Sequence, residues 1–158
     1  MALRPTPGST TGIRIDPPLI YAALLGAGLL TQRWRPVRIL SPGLAAPIGI
    51  AALALGLAVT LWAVMSFRRA RTSPLLTRPT MALVTSGPYR FSRNPIYLGY
   101  TLMYLGAAFW AGSAWPVILL PFGLWVMYRA VITREEAYLE SRFGEDYRAY
   151  RRRVRRWL

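Results

Sequence analysis

LAAPIGIAALALGLAVTLWAVMSF, residues 44–67, is a run of twenty-four residues without a single charge. At 1.5 Å per residue a helix of that length reaches roughly 36 Å, enough to cross a hydrocarbon layer ~30 Å thick. Pro47 falls in the first turn of such a helix, where a missing N–H costs little. The stretch reads as a membrane span, and three further apolar blocks lie on either side of it. Residues 95–111 and 115–132 are close to the minimum spanning length. Pro95 stands at a helix start, and Pro121 is expected to kink the last block near its first third. Residues 18–32 offer about 14 apolar positions, roughly 21 Å of helix, so this segment has to snorkel through Arg33, thin the bilayer or stop short. The expected architecture is an all-α, polytopic membrane helix bundle of about four transmembrane helices, forming one domain over residues 18–158. Residues 1–17 are a polar, proline-containing lead-in without the features of a signal peptide.

All twenty basic residues of this 158-residue chain are arginine, against six acidic ones, giving a net charge of +14. Arginine does not titrate near neutrality, so the charge calls for anionic lipid headgroups or an anionic substrate. His, Cys and Lys are absent. Disulfides, thiolate nucleophiles, a Ser-His-Asp triad, Schiff-base lysines and zinc or haem sites are therefore excluded, and no metal ligands are expected. Any reaction must run on a reactive cofactor or substrate that the protein positions.

With four spans, the lead-in, the loop 68–94 and the tail from residue 134 share one side, which then carries sixteen arginines against three on the other. The positive-inside rule makes that side, with both termini, cytoplasmic. In the tail, Phe143, Tyr147, Tyr150, Val154 and Trp157 are spaced 4, 3, 4 and 3, one apolar face of a helix, with Arg148, Arg151, Arg152 and Arg155 elsewhere around the wheel. Residues 133–158 are accordingly expected to end in an amphipathic, interfacial helix lying on the membrane, and Gly144 is a plausible stop for the helix before it. Anionic lipid accounts for the arginine run better than nucleic acid, which needs an exposed basic face on a soluble module.

Two constellations can carry chemistry. Gly87-Pro88 is a turn, Asn94-Pro95 a helix entry that Asn94 can cap, and Tyr89, Phe91 and Tyr97 alternate with Arg90 and Arg93 to make a surface able to stack on a purine and hold a carboxylate. Glu135-Glu136 follow the last apolar block. Alone they read as a solvated acidic helix start, but beside the loop they can accept hydrogen bonds from ribose hydroxyls or pair with an ammonium. Arg142, seven residues beyond Glu135, could orient an anionic headgroup.

The run GPYRFSRNPIYLG (87–99), then Arg134-Glu135-Glu136, then Phe143-Gly144-Glu145-Asp146-Tyr147 with Tyr150, Val154 and Arg156, closely resembles bacterial members of the isoprenylcysteine carboxyl methyltransferase and phospholipid methyltransferase superfamily. The resemblance covers roughly residue 68 onward and is looser in the first two spans. It implies a small helical membrane bundle whose cytoplasmic loop, 68–94, and Glu-Glu pair enclose S-adenosyl-L-methionine. The cofactor-binding positions it implies are Arg93, Asn94, Pro95, Tyr97, Gly99, Glu135 and Glu136, to which Leu83, Val84 and Tyr89 of the loop are added. Asn94 stands where the eukaryotic pattern has His, so proton transfer at that position is in doubt while hydrogen bonding survives. The implied location is the inner membrane of a bacterium.

A sulfonium methyl donor is preactivated, so its chemistry suits a chain without His, Cys or Lys. A carboxylate acceptor on a lipidic or prenylated substrate needs only orientation, for which Arg142 and Arg153 are the expected catalytic residues. An amine acceptor needs a base, and only Glu, Asp or Tyr is available. The rival readings are a membrane NAD(P)H-dependent reductase of the steroid-reductase type, a small transporter and a non-catalytic scaffold. Transport is the least suited, because the first three spans hold no ionisable interior residue for coupling.

Overall fold

Proline opens four of the helices. Its ring presets the helical φ, and its missing N–H falls where no intrahelical partner exists. In the computed structural model, which describes residues 16–73 and 80–158, these helices are α1 (Pro17–Trp34), α2 (Pro42–Arg69), α3 (Pro95–Trp110) and α4 (Trp115–Met127). A single 3-10 turn, Gly87–Arg90, precedes α3. After α4 come a five-residue π turn, Tyr128–Ile132, then α5 (Thr133–Phe143) and α6 (Glu145–Arg153). No strand occurs among the described residues. Residues 1–15 of the expected lead-in and 74–79 of the expected loop lie outside them.

Among the described residues two helices are long and apolar enough to cross a membrane: the 28 residues of Pro42–Arg69, and the 29-residue rod Trp115–Phe143 that joins α4, the π turn and α5. With 18 and 16 residues, α1 and α3 reach about 27 and 24 Å. On α2 the large apolar side chains point outward, with Leu44, Ile50, Leu55, Leu57 and Leu61 all more than half exposed. Such a face has no counterpart in a water-filled setting and is what lipid tails cover. The helix begins two residues before the apolar run, so Pro47 lies inside it and not in its first turn. Pro121 sits within α4 without ending it, and the ladder widens only at Tyr128–Ile132.

The tightest pairing joins α2 to α3. A Cβ placed on Gly49 would lie 2.5 Å from Trp110 N and 2.7 Å from the Gly106 carbonyl, and one on Gly56 would lie 2.6 Å from the Gly99 carbonyl. The reciprocal positions Gly106 and Gly99 meet the Gly49 and Gly56 carbonyls at 2.8 Å. As 49 faces 106 and 56 faces 99, the helices run antiparallel, backbone against backbone, the close approach that small residues permit in membranes. In the same sense α1 lies against α4, where Gly28 meets Pro116 and Gly123 meets Leu24. The shared core is Tyr21, Tyr97, Tyr104, Met127, Val131 and Ile132.

The tail departs from its expected place. Gly144, at φ 54°, stops α5 as its sequence suggested, but the apolar face of α6 is turned into the protein. Tyr147 is 1% and Tyr150 4% exposed, and Trp157 packs against the core. Periodicity shows that a face is covered and leaves open by what. Here the cover is the turn before α3, because the Tyr150 hydroxyl donates to the Tyr89 carbonyl at 2.8 Å. The arginines of α6 therefore face outward, and its aromatic side is not a lipid-directed one.

Candidate active site

The turn that leads into α3 is built tightly. Gly87 takes φ +62°, and a Cβ there would strike Ser66 Oγ of α2, so only glycine passes. Phe91 and Ser92 N–H groups return to the Pro88 carbonyl at 3.1 and 3.2 Å. Ser92 Oγ accepts from Asn94 N at 3.1 Å, which sets the chain for Pro95. Asn94 occupies the cap position, yet its side chain does not cap α3; Nδ2 donates instead to the Arg156 carbonyl at 3.0 Å.

Opposite this turn, the two carboxylates of α5 diverge. Glu135 Oε2 accepts from the Tyr97 hydroxyl at 2.7 Å. Glu136 pairs with Arg93 (Nη1 to Oε1, 3.0 Å) and with Arg156 (Nη2 to Oε2, 2.8 Å). Arg93 Nη1 also donates to the Tyr147 hydroxyl at 3.3 Å, while its Nε, in a side chain only 10% exposed, finds no acceptor among the described residues. The Tyr138 hydroxyl accepts from Thr80 N at 3.1 Å and ties α5 to the start of the second described stretch. Burial is the main cause that pushes the Tyr89, Tyr147 and Tyr150 phenols upward, so all three stay protonated at working pH.

Two cavities meet here. A chamber of about 50 Å³ is lined by Leu83, Val84, Glu136, Tyr138, Tyr147 and Tyr150 among others. A second cavity of about 500 Å³ is lined by Pro17, Leu19, Val64, Ile96, Tyr97 and Tyr100 among others. Phe67, Tyr89, Arg93, Asn94 and Glu135 belong to both and form the wall between them.

The structure thus brings together Leu83, Val84, Tyr89, Arg93, Asn94, Tyr97, Glu135 and Glu136. Pro95 and Gly99 it does not: Pro95 is sealed at the base of α3, and Gly99 presses on the α2 backbone, so both serve packing. Arg142 and Arg153 stand on exposed faces near the ends of α5 and α6 and line neither cavity. The guanidiniums beside the site are those of Arg93 and Arg156. Sequence reasoning missed Phe67, Tyr138 and the direction of Tyr147 and Tyr150. Only the last two carried a signal, their place on one apolar face.

Tyr97→Phe is expected to lower the unfolding midpoint, since a partly buried carboxylate loses its hydroxyl donor at a cost of about 1–2 kcal/mol. Thermal unfolding of the purified chain in detergent reads this, and an unchanged midpoint would mean that the Tyr97–Glu135 bond contributes nothing.

The sequence model of one family, described as phospholipid methyltransferase, matches residues 44–146. A protein-S-isoprenylcysteine O-methyltransferase of Schizosaccharomyces pombe is 40% identical over 72 residues, 46% of this chain and 30% of that protein. An uncharacterized protein of Haemophilus influenzae is 40% identical over 63 residues, 40% of this chain and 100% of its own length. The cobalt-zinc-cadmium resistance protein CzcN of Cupriavidus metallidurans is 38% identical over 77 residues, 49% of this chain and 35% of that protein. The match thus spans about a third of the first and third of these relatives. No solved structure matches the chain.

Proposed function

Because the chain belongs to the phospholipid methyltransferase family, we propose that it is an integral membrane methyltransferase that moves a methyl group from S-adenosyl-L-methionine to a lipidic acceptor. The observation that carries this reading is the shared wall. A small chamber and a larger cavity meet at Arg93 and Glu135, and the buried Arg93 Nε has no acceptor among the described residues. Such a donor suits the carboxylate of an amino-acid-like cofactor, and Glu135 suits its ammonium or sulfonium. Tyr89 and Tyr138 offer ring faces to a purine. Their lining of the chamber supports placing the cofactor along this wall.

When bound, S-adenosyl-L-methionine supplies a methyl group already activated by its positive sulfur. The chain's own residues orient and enclose. Tyr97 holds Glu135 in place, Arg93 is held by Glu136 and Tyr147, and the aromatic lining keeps water away from the wall. The acceptor's tail enters along Leu19, Val64, Ile96 and Tyr100, between α1, α2 and α3. S-isoprenylcysteine carboxylates and other lipid headgroups both fit that description. Since α1 runs alongside α4 and α3 alongside α2, we read all four as spanning, the two shorter helices thinning the bilayer by a few ångströms. The arginine distribution supports reading the site and both termini as cytoplasmic, at a bacterial inner membrane, with the outward arginines of α6 against anionic headgroups.

Calorimetric titration of the purified full chain with S-adenosylhomocysteine and, separately, with NADPH tests the reading. Binding of S-adenosylhomocysteine alone is expected. Binding of NADPH alone would turn the assignment to a reductase, and binding of neither would leave a scaffold.

A further inference from the structure

Three guanidinium nitrogens crowd the two oxygens of Glu136. Arg156 forks them, Nε to Oε1 at 2.9 Å and Nη2 to Oε2 at 2.8 Å, and Arg93 Nη1 adds its contact to Oε1 at 3.0 Å. Arg156 reaches this place because the end of the chain is pinned to the turn before α3. Its carbonyl accepts from Ser92 Oγ at 3.1 Å and from Asn94 Nδ2 at 3.0 Å, and the neighbouring Arg155 carbonyl accepts from Arg93 N at 3.0 Å. The guanidinium carbon lies 5.0 Å from the centre of the Tyr128 ring. Arg156 nevertheless lines neither cavity, whereas Arg93 lines both.

These arrangements are linked. A carboxylate and a guanidinium left to themselves close into a two-bond pair that uses Nε or a second Nη. Arg156 already occupies both oxygens of Glu136, so Arg93 receives a single-nitrogen contact, and among the described residues its Nε stays uncommitted at the wall between the cavities. Charge acts in the same direction. Glu136 is shared between two guanidiniums, so Arg93 has no ion-pair carboxylate to itself, which favours an anionic group arriving with a ligand.

We propose that Arg156 is a positioning residue: by capturing Glu136 it keeps the Nε–H of Arg93 free to receive an oxygen of the ligand where the two cavities meet. The inference rests on the site described under the proposed function, but what it says of Arg93 does not depend on which ligand comes. Loss of Arg156 leaves the cavities in place and lets Glu136 turn onto Arg93, which consumes the donor.

The test uses the full chain, labelled with ¹⁵N, in detergent micelles. The Arg93 Nε–Hε resonance, assigned by its disappearance in Arg93→Lys, is followed in the wild type, Arg156→Gln, Arg156→Lys and the double variant Glu136→Gln/Arg156→Gln, and each is titrated with S-adenosylhomocysteine. In Arg156→Gln the resonance is expected to move to an ion-paired position and the affinity to fall about tenfold, the worth of one charge-assisted hydrogen bond. Arg156→Lys keeps the charge without the fork and is expected to move the resonance in the same direction by less. Should Arg156→Gln fail to fold, that smaller shift carries the test. The double variant has no carboxylate left to capture Arg93, so the resonance returns toward its wild-type position, a rescue that a merely structural role would not give. An unmoved resonance in both single variants, or one as displaced in the double variant as in Arg156→Gln, overturns the proposal. A wild type that binds NADPH or nothing overturns the functional reading instead, while the resonance still decides the role of Arg156.

Discussion

Glu136→Ala is expected to yield a chain that no longer binds S-adenosylhomocysteine and unfolds at a markedly lower temperature. The carboxylate lies between Arg93, whose side chain is 10% exposed, and Arg156, whose side chain is 33% exposed. Without it, two like charges face each other across a space from which water is largely excluded. Removing one member of a buried pair costs about 3–5 kcal/mol, and the partial hydration of Arg156 puts this case near 3. For a chain of this length that corresponds to a fall of roughly 6–12 °C in the unfolding midpoint. Binding goes because Arg93 retreats from the cavity wall once its anchor is gone. Thermal unfolding and calorimetric titration of the same preparation check both effects. A midpoint within a degree of the wild type, with affinity retained, would mean that the three-residue cluster is ornamental.

Gly56→Leu is expected to damage the fold from its other end, the packing of α2 on α3. A Cβ there would lie 2.6 Å from the Gly99 carbonyl and 2.8 Å from Met103 N, and neither backbone atom can swing aside as a side chain would. The helices have to part, which costs overpacking strain of about 1–3 kcal/mol at that point and loosens the packing along the pair. The damage reaches the site, since α2 brings Val64 and Phe67 to the cavities and α3 brings Ile96 and Tyr97. Loss of monodisperse protein on size-exclusion chromatography after mild heating is the readout. Gly26→Ala is the matched control, because a Cβ there meets nothing within 4 Å and gains about 1 kcal/mol of helix propensity. If the two variants behave alike, backbone approach is not what holds α2 to α3.

The long apolar runs announced themselves because period and length follow from the chemistry of each residue. That logic placed the helices to within a few residues and stopped α5 at Gly144. The loop and the acidic pair were legible as one pocket, since aromatic residues and arginines next to a helix entry admit few other uses, and the two do meet in space. Partners across the sequence were not legible. The fork from Arg156 to Glu136 spans twenty residues and crosses the stop at Gly144, so no helical spacing announces it. Arg142 sits seven residues beyond Glu135, on what helical spacing makes the same face, yet it is exposed and lines neither cavity. Asn94 has the cap residue's chemistry and is drawn instead to the chain's end, a choice made by tertiary contact.

The widened turn at Tyr128–Ile132 makes the pocket end of the rod a matter of counting. In a regular helix, positions four apart drift around the axis by about 40° per step, because each residue turns 100°. A turn with more residues per revolution cancels part of that drift, so Gly123, Met127, Val131 and Glu135 run in fours from the packed core to the pocket. The upper and lower parts of this rod are therefore geared to each other by one residue. Gain of a single amino acid between Met127 and Thr133 would turn Glu135 and Glu136 by about 100° relative to the span below them, whereas loss of one is absorbed as the widened turn tightens into regular helix. An insertion in this segment would therefore re-aim both carboxylates of the pocket at once, while a deletion would leave their direction nearly unchanged.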